Sequence, residues 1–290
     1  MKGHMTLPNF LIIGAPKAGT TGLYYTLRQH PQIFLSDPKE PFYFLPPEKQ
    51  HDIKNMADYL ALFSNIPDGK VAIGEASVHY LGNPASPKMI YNALPKARLI
   101  AILRQPADRT YSHYLMYRRE GKEDISDFST IIQSLENPDI SIKRKMDYLE
   151  DSLYSVSLKR YLSLFPREQM LIFLYEDWKT RPDEVLQKIM AFLGVDASIN
   201  LMVKNENVTM KPRLPGLFNF LNSPQTIKNL LKKVIPYRWG KEVINRINQV
   251  LLFKSPPLNP TDRHRLTKVF RSDIIELQDL IGRDLSSWLR

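Results

Sequence analysis

Near the start of this 290-residue chain, one lysine, two threonines and two glycines share the segment Gly14-Ala-Pro-Lys-Ala-Gly-Thr-Thr21. An apolar run, Phe10–Gly14, leads into it, and helical sequence opens near Gly19. The first turn of a helix presents backbone N–H groups without intrahelical acceptors and a partial positive charge, so this strand, turn and helix can cradle an anion. Gly14 and Gly19 allow close backbone approach, Thr20 and Thr21 add hydroxyl donors, and Lys17 adds a mobile cation. A nucleoside triphosphatase loop reads G-x-x-x-x-G-K-[ST], with lysine directly after the second glycine. Here Thr20 holds that place and Lys17 lies inside the turn, three residues after Gly14. Lysine at this point reaches a group leaving from the end of the cradle rather than lying along a β,γ-phosphate pair. An ATP-dependent kinase with a divergent loop is therefore the weaker enzyme reading.

Other residues that could do chemistry lie at further strand ends. Arg104 closes the run Arg98–Leu103, Pro106 opens the next helix, and Ser112 falls about two turns into it. In an open α/β sheet, ligands bind beyond the carboxyl ends of the strands, which puts Gly14 and Arg104 on one rim. Glu75 and His79, in Gly74-Glu-Ala-Ser-Val-His-Tyr80, follow another strand and can reach the same rim. His79 titrates in a useful range, although a lone histidine is more often a bystander.

The elements that must position these residues are legible as alternation. Phe10–Gly14, Val71–Gly74, Arg98–Leu103 and Met170–Tyr175 are continuous apolar runs, the pattern of strands buried on both faces. Helical periodicity lies between them, clearest in Lys159–Phe165 and in Val185–Leu193 with Gly194 as its C-cap. The expected fold is α/β, an open parallel sheet flanked by helices. Ser36–Ile53, with four prolines, reads as a loop. Beyond Asn200 the pattern turns helical: Ile227, Leu230, Leu231 and Val234 share one face, and a final helix runs from Pro260 to about Leu280. No linker divides the chain, so residues 1–290 are expected to form one domain with a helical C-terminal subregion. Residues 1–8 read as a tag remnant or an unstructured start, because Met5 looks like a second initiator.

Composition narrows the function classes. A 43% hydrophobic and 24% charged chain is not globally disordered, and no apolar run is long enough to span a bilayer. With no cysteine, disulfides, thiolate zinc sites and cysteine nucleophiles are excluded. No signal peptide is visible, so a soluble, cytoplasmic protein is expected. The net charge of +10 is concentrated between Lys204 and Arg271, which carry fourteen basic against three acidic residues. Such a segment suits an anionic partner. A non-enzymatic binder of nucleic acid or anionic surfaces is one alternative, but simple charge attraction requires neither Lys17 nor Arg104 at strand ends.

The two junctions together resemble those of sulfotransferases that use 3′-phosphoadenosine 5′-phosphosulfate (PAPS). Gly14–Thr21 resembles their 5′-phosphosulfate loop, and Ala97–Tyr114, with Arg104, Pro106 and Ser112, resembles their 3′-phosphate motif. Ser152-Leu-Tyr-Ser155 with Leu158–Tyr161, Leu171–Trp178 and Asn207–Arg213 resemble, in turn, the substrate-side helix, a later core strand with its Tyr-Glu-Asp turn, and the segment that closes over the cofactor. Gln105 stands where the family usually has Asp or Asn, and Ser152 where it usually has glycine. The resemblance covers nearly the whole chain and is weakest over residues 120–150 and 214–260.

That resemblance implies a P-loop NTPase-like sulfotransferase fold and in-line transfer of a sulfuryl group from PAPS to an acceptor hydroxyl, less readily an amine, leaving adenosine 3′,5′-bisphosphate. No metal is required. Lys17, Ala18, Gly19, Thr20, Thr21, Arg104, Ser112 and Arg213 would hold the cofactor, with Lys17 stabilising the leaving phosphate oxygen. Lys39-Glu-Pro-Phe-Tyr-Phe44 resembles the segment of carbohydrate-type and bacterial members in which glutamate deprotonates the acceptor, which makes Glu40 the base, ahead of His79 and Glu75. Glu75, His79 and Tyr154 are the candidates for the acceptor side. Heparan-type enzymes tend to carry lysine where this chain has Ala76, which counts against a highly sulfated polysaccharide as acceptor. A small molecule, a sugar or a carrier-bound biosynthetic intermediate is the expected one, with no nucleic acid and no membrane insertion.

Overall fold

The computed structural model describes residues 6–50, 52–204, 210–212, 252–254 and 256–290. Five parallel strands form its sheet: β1 (Phe10–Gly14), β2 (Ile33–Leu35), β3 (Ala72–Ala76), β4 (Arg98–Leu103) and β5 (Met170–Leu174). Their spatial order is β2-β3-β1-β4-β5. Every residue of β1 is buried, as expected for a central strand flanked on both sides. The registers Phe10↔Gly74, Phe10↔Arg98 and Leu103↔Leu174 bring the carboxyl ends of neighbouring strands to one edge. All five following loops therefore emerge on one rim, where a ligand site of an open α/β sheet belongs.

Flanking the sheet are α1 (Thr20–Leu27), α2 (Met56–Ala61), α3 (Ser86–Ala93), α4 (Pro106–Arg119), α5 (Phe128–Glu136), α6 (Lys145–Leu149), α7 (Tyr154–Leu162), α8 (Tyr175–Thr180), α9 (Pro182–Leu193) and α10 (Pro260–Ile281). Helix α9 stops at Gly194, whose φ of 73° is the left-handed conformation that ends a helix without Cβ strain. Leu266, Phe270, Ile274 and Leu277 form the apolar stripe by which α10 joins the core. Among the described residues no helix is long and apolar enough to cross a membrane.

The boundaries differ from the sequence expectations in three places. Strand β3 spans Ala72–Ala76 rather than Val71–Gly74: Val71 is exposed, and the ladder continues through Glu75, which pairs in register with Leu11. Strand β2 has no counterpart in the reading, because three apolar residues between Pro31 and Pro38 are too few to display a period. Helix α7 begins at Tyr154 instead of Lys159, because its first turn is capped by the carboxylate of Asp273 on α10, more than a hundred residues away. The Pro-rich segment after β2 is a loop as expected, apart from a 3₁₀ turn at Pro47–Lys49. A short antiparallel pair joins β6 (Met210–Pro212) and β7 (Leu252–Lys254). Arg213 and the helical face at 227–234 lie outside the described residues.

Candidate active site

The loop after β1 has the form of an anion cradle. Gly19 precedes α1 with φ 87°, and a Cβ there would sit 3.1 Å from the Tyr175 ring, so glycine answers both a left-handed backbone and a close neighbour. No side chain caps α1, and the amide of Leu23 makes the first i→i−4 bond, to the Gly19 carbonyl at 3.2 Å. Ala18 and Thr20 are buried, while Thr21 is half-buried. Lys17 takes φ 68°, a strained choice for a side chain of this length, and its Nζ rests 3.4 Å from the Met116 sulfur on α4. Burial is the main reason its pKa drops to about 8; the charges of Arg119, Arg104 and Arg109 add to the drop, and Glu120 opposes it.

Arg104, after β4, is bound into the same loop. Its Nη1 donates to the Lys17 carbonyl at 3.0 Å, and its guanidinium lies 4.9 Å from the centre of the Tyr175 ring. Tyr175, the first residue of α8, thus packs against both Gly19 and Arg104. The departure at Gln105 has a local explanation. Its Oε1 accepts from the Asp108 amide at 2.8 Å, which is the N-cap bond an Asp or Asn would make, and its Nε2 reaches the Trp288 carbonyl. Ser112 is buried two turns along α4, on the face that carries Met116 one turn later.

Facing these groups are the loops after β2 and β3. The Glu40 amide donates to the Ala76 carbonyl at 3.0 Å, its side chain pairs with Lys39, and its φ is 65°. Glu40 is therefore held on the rim by its backbone while its carboxylate stays partly exposed. His79 is about one-third exposed (34%), with Nδ1 3.4 Å from Asp151 and its ring 5.8 Å from that of Phe42. Burial disfavours the charged form of His79, but the Asp151 carboxylate outweighs it and raises the pKa. Ala76, by contrast, is buried and brings no charge.

Two of the acceptor-side candidates lie inside the fold. Glu75 is completely buried, bonded by the Ser77 hydroxyl at 2.7 Å and by the Tyr59 hydroxyl at 3.5 Å, so it does not reach the open rim. Tyr154 is also buried, and its hydroxyl donates to the Arg104 carbonyl at 2.9 Å. In this position it supports the end of β4. Ser152 likewise is committed inside, where its hydroxyl accepts from Arg109 Nε at 2.6 Å.

The sequence reading missed the buried charges beneath the site. Arg109 has no exposed surface, and it donates to His113 Nδ1 at 2.9 Å and to the Tyr148 carbonyl, with Asp151 3.7 Å away. Arginine can only donate, so Nδ1 of His113 is an acceptor and the neutral ring carries its hydrogen on Nε2. Burial first, and the charge of Arg109 second, hold His113 well below the usual imidazole range. One signal was present: Arg109 and His113 are four residues apart and hence on one helix face. Asp151 gave none, since only the fold brings it to His79.

The chain has counterparts among known proteins. The model of the sulfotransferase domain matches residues 7–212. Bifunctional heparan sulfate N-deacetylase/N-sulfotransferase 4 of Mus musculus is 30% identical over 298 residues, covering 98% of this chain and 31% of its own length. The corresponding protein 2 of Bos taurus is 30% identical over 295 residues, with the same coverage. The chain thus spans about a third of the length of these curated relatives. Among solved structures, a sulfotransferase from Alicyclobacillus acidocaldarius aligns with a TM-score of 0.72 and 29% identity, covering 98% of this chain and 100% of that one. Mouse sulfotransferase SULT7A1, complexed with PAP, shares the fold at a TM-score of 0.50 and 15% identity, covering 92% and 84%. With the domain match extending over most of its length, on a five-stranded parallel sheet, the chain belongs to the sulfotransferase family.

Proposed function

We propose that this sulfotransferase uses PAPS as donor and a sugar or small-molecule hydroxyl as acceptor. The observation that carries the donor reading is the crowding of cations at Lys17: a partly desolvated ammonium, depressed to about 8 by burial and by Arg119, Arg104 and Arg109, is a place prepared for an anion. The cradle of Gly19, Thr20 and Thr21 fits a 5′-phosphosulfate, and Arg104 with Ser112 fits a 3′-phosphate; Arg213 is proposed with them on the family pattern. The donor supplies an activated sulfuryl group on a phosphate leaving group. Lys17 neutralises charge on the leaving oxygen, and Glu40 takes the proton that the acceptor hydroxyl loses as its bond to sulfur forms. His79, oriented by Asp151, is the reserve candidate for the base.

A second acceptor reading has a specific support: the curated relatives are named N-sulfotransferases, so an amino sugar is the alternative. Neutral Ala76 argues against a highly sulfated chain in either case. Calorimetric titration with adenosine 3′,5′-bisphosphate, compared with ATP plus Mg²⁺, tests the donor. Metal-independent binding of the bisphosphate alone is expected, and preference for ATP–Mg²⁺ would replace this reading with a kinase. Transfer of labelled sulfuryl groups to matched hydroxyl and amino sugars then separates the two acceptors.

A further inference from the structure

The completely buried Glu75 is a carboxylate for which the transfer reaction has no direct use. Its surroundings lead back to the acceptor side. Ser77 Oγ donates to Glu75 Oε2 at 2.7 Å and accepts from the Phe42 amide at 3.2 Å. Two residues before Phe42, the Glu40 amide is held by the Ala76 carbonyl, next to Ser77 in the chain. The Glu40–Phe42 turn includes two non-glycine residues at positive φ, 65° and 55°. Such a turn persists only when its surroundings over-determine it. A hydroxyl has one hydrogen to give, and an ionised carboxylate behind Ser77 settles where it points, leaving the Oγ lone pairs for Phe42.

We infer that Glu75 is a positioning residue, which acts through Ser77 to hold the turn that presents Glu40 to the acceptor. This rests on the reading of Glu40 as base. The groups that face Glu75 are Ser77 and Tyr80 from the turn after β3, Tyr59 from α2, Tyr161 from α7 and Glu40 from the loop after β2. Burial, with a smaller contribution from the charge of Glu40, pushes the Glu75 carboxyl up to about 7, while the hydroxyls of Ser77, Tyr80 and Tyr59 restrain the rise. The carboxylate therefore gains a proton on the acid side of neutrality. A proton on Oε2 turns that oxygen from acceptor into donor, so the Ser77 hydrogen loses its fixed direction and the turn loosens as the pH falls.

The test compares kcat, KM and bisphosphate affinity across pH for four variants of the full chain. Glu75→Ala and Ser77→Ala are each expected to lower kcat roughly ten- to a hundredfold, as displaced catalytic groups do, with bisphosphate affinity unchanged. Glu75→Gln keeps an acceptor for Ser77 at every pH, so it should restore most of kcat and remove the acid limb attributed to Glu75. Full kcat in Ser77→Ala, or an unaltered acid limb in Glu75→Gln, overturns the inference even if Glu75→Ala does not fold. Glu40→Gln separates the two readings. If it still turns over, the base assignment fails; if it is inactive while Glu75→Gln and Ser77→Ala match the starting protein, only the positioning role fails.

Discussion

The Arg104 guanidinium donates to the Lys17 carbonyl across 3.0 Å, joining the end of β4 to the loop after β1. The cation proposed for the 3′-phosphate thereby also braces the strained backbone that carries the lysine at the 5′ end. The two ends of a PAPS site would be mechanically linked before any ligand arrives, which lowers the ordering cost of binding.

Arg104→Ala should weaken adenosine 3′,5′-bisphosphate far more than 5′-AMP. Loss of a charged hydrogen-bond partner is worth about 1.5–3 kcal/mol, or roughly ten- to a hundredfold in Kd. Calorimetry with both nucleotides checks this, and an equal loss for the two would withdraw the 3′-phosphate assignment.

Lys17 should impose an alkaline limb. Its pKa of about 8 means that charge is lost as the pH rises through that value, so bisphosphate affinity falls there. An anion favours the ammonium, hence binding above pH 8 should take up a proton, visible as a buffer-dependent calorimetric enthalpy. In Lys17→Arg that limb should move out of range, because arginine stays charged.

Asp273→Ala should destabilise the protein by about 2–3 kcal/mol through loss of a buried, multiply bonded cap. The carboxylate accepts from the amides of Tyr154 at 2.8 Å and Ser155 at 3.0 Å. Denaturant unfolding gives the number. Bisphosphate affinity should fall as well, since Tyr154 supports the Arg104 carbonyl; undiminished affinity would limit Asp273 to the stability of α7.

Glu75 should shape stability as well as activity. Its folded pKa, about 7, lies above the ordinary 4.5, so the folded state binds the proton more tightly. The contribution is full below about pH 4.5 and is lost as pH rises through about 7, by roughly 3 kcal/mol in all. Unfolding free energies measured against Glu75→Gln across this window should converge at the acid end and part at the alkaline end. Parallel curves would show a carboxyl with an ordinary pKa.

Sequence by itself determined the alternation that makes a parallel sheet, the two strand-to-helix junctions and the position of Lys17 within the turn. These are local matters: a run of buried side chains, a glycine at a helix start and a proline at a first turn act over a few residues. The same locality let Gly194 be read as the end of α9. Only the tertiary structure decided what each polar side chain faces. It carried Asp151 to His79, sank Arg109 and Glu75 out of solvent, and turned the Tyr154 hydroxyl towards the Arg104 carbonyl. It also lengthened β3 through Glu75 and started α7 early by supplying Asp273 as a distant cap. Burial, charge proximity and hydrogen bonding are set by residues remote in the chain, and no period or spacing encodes them.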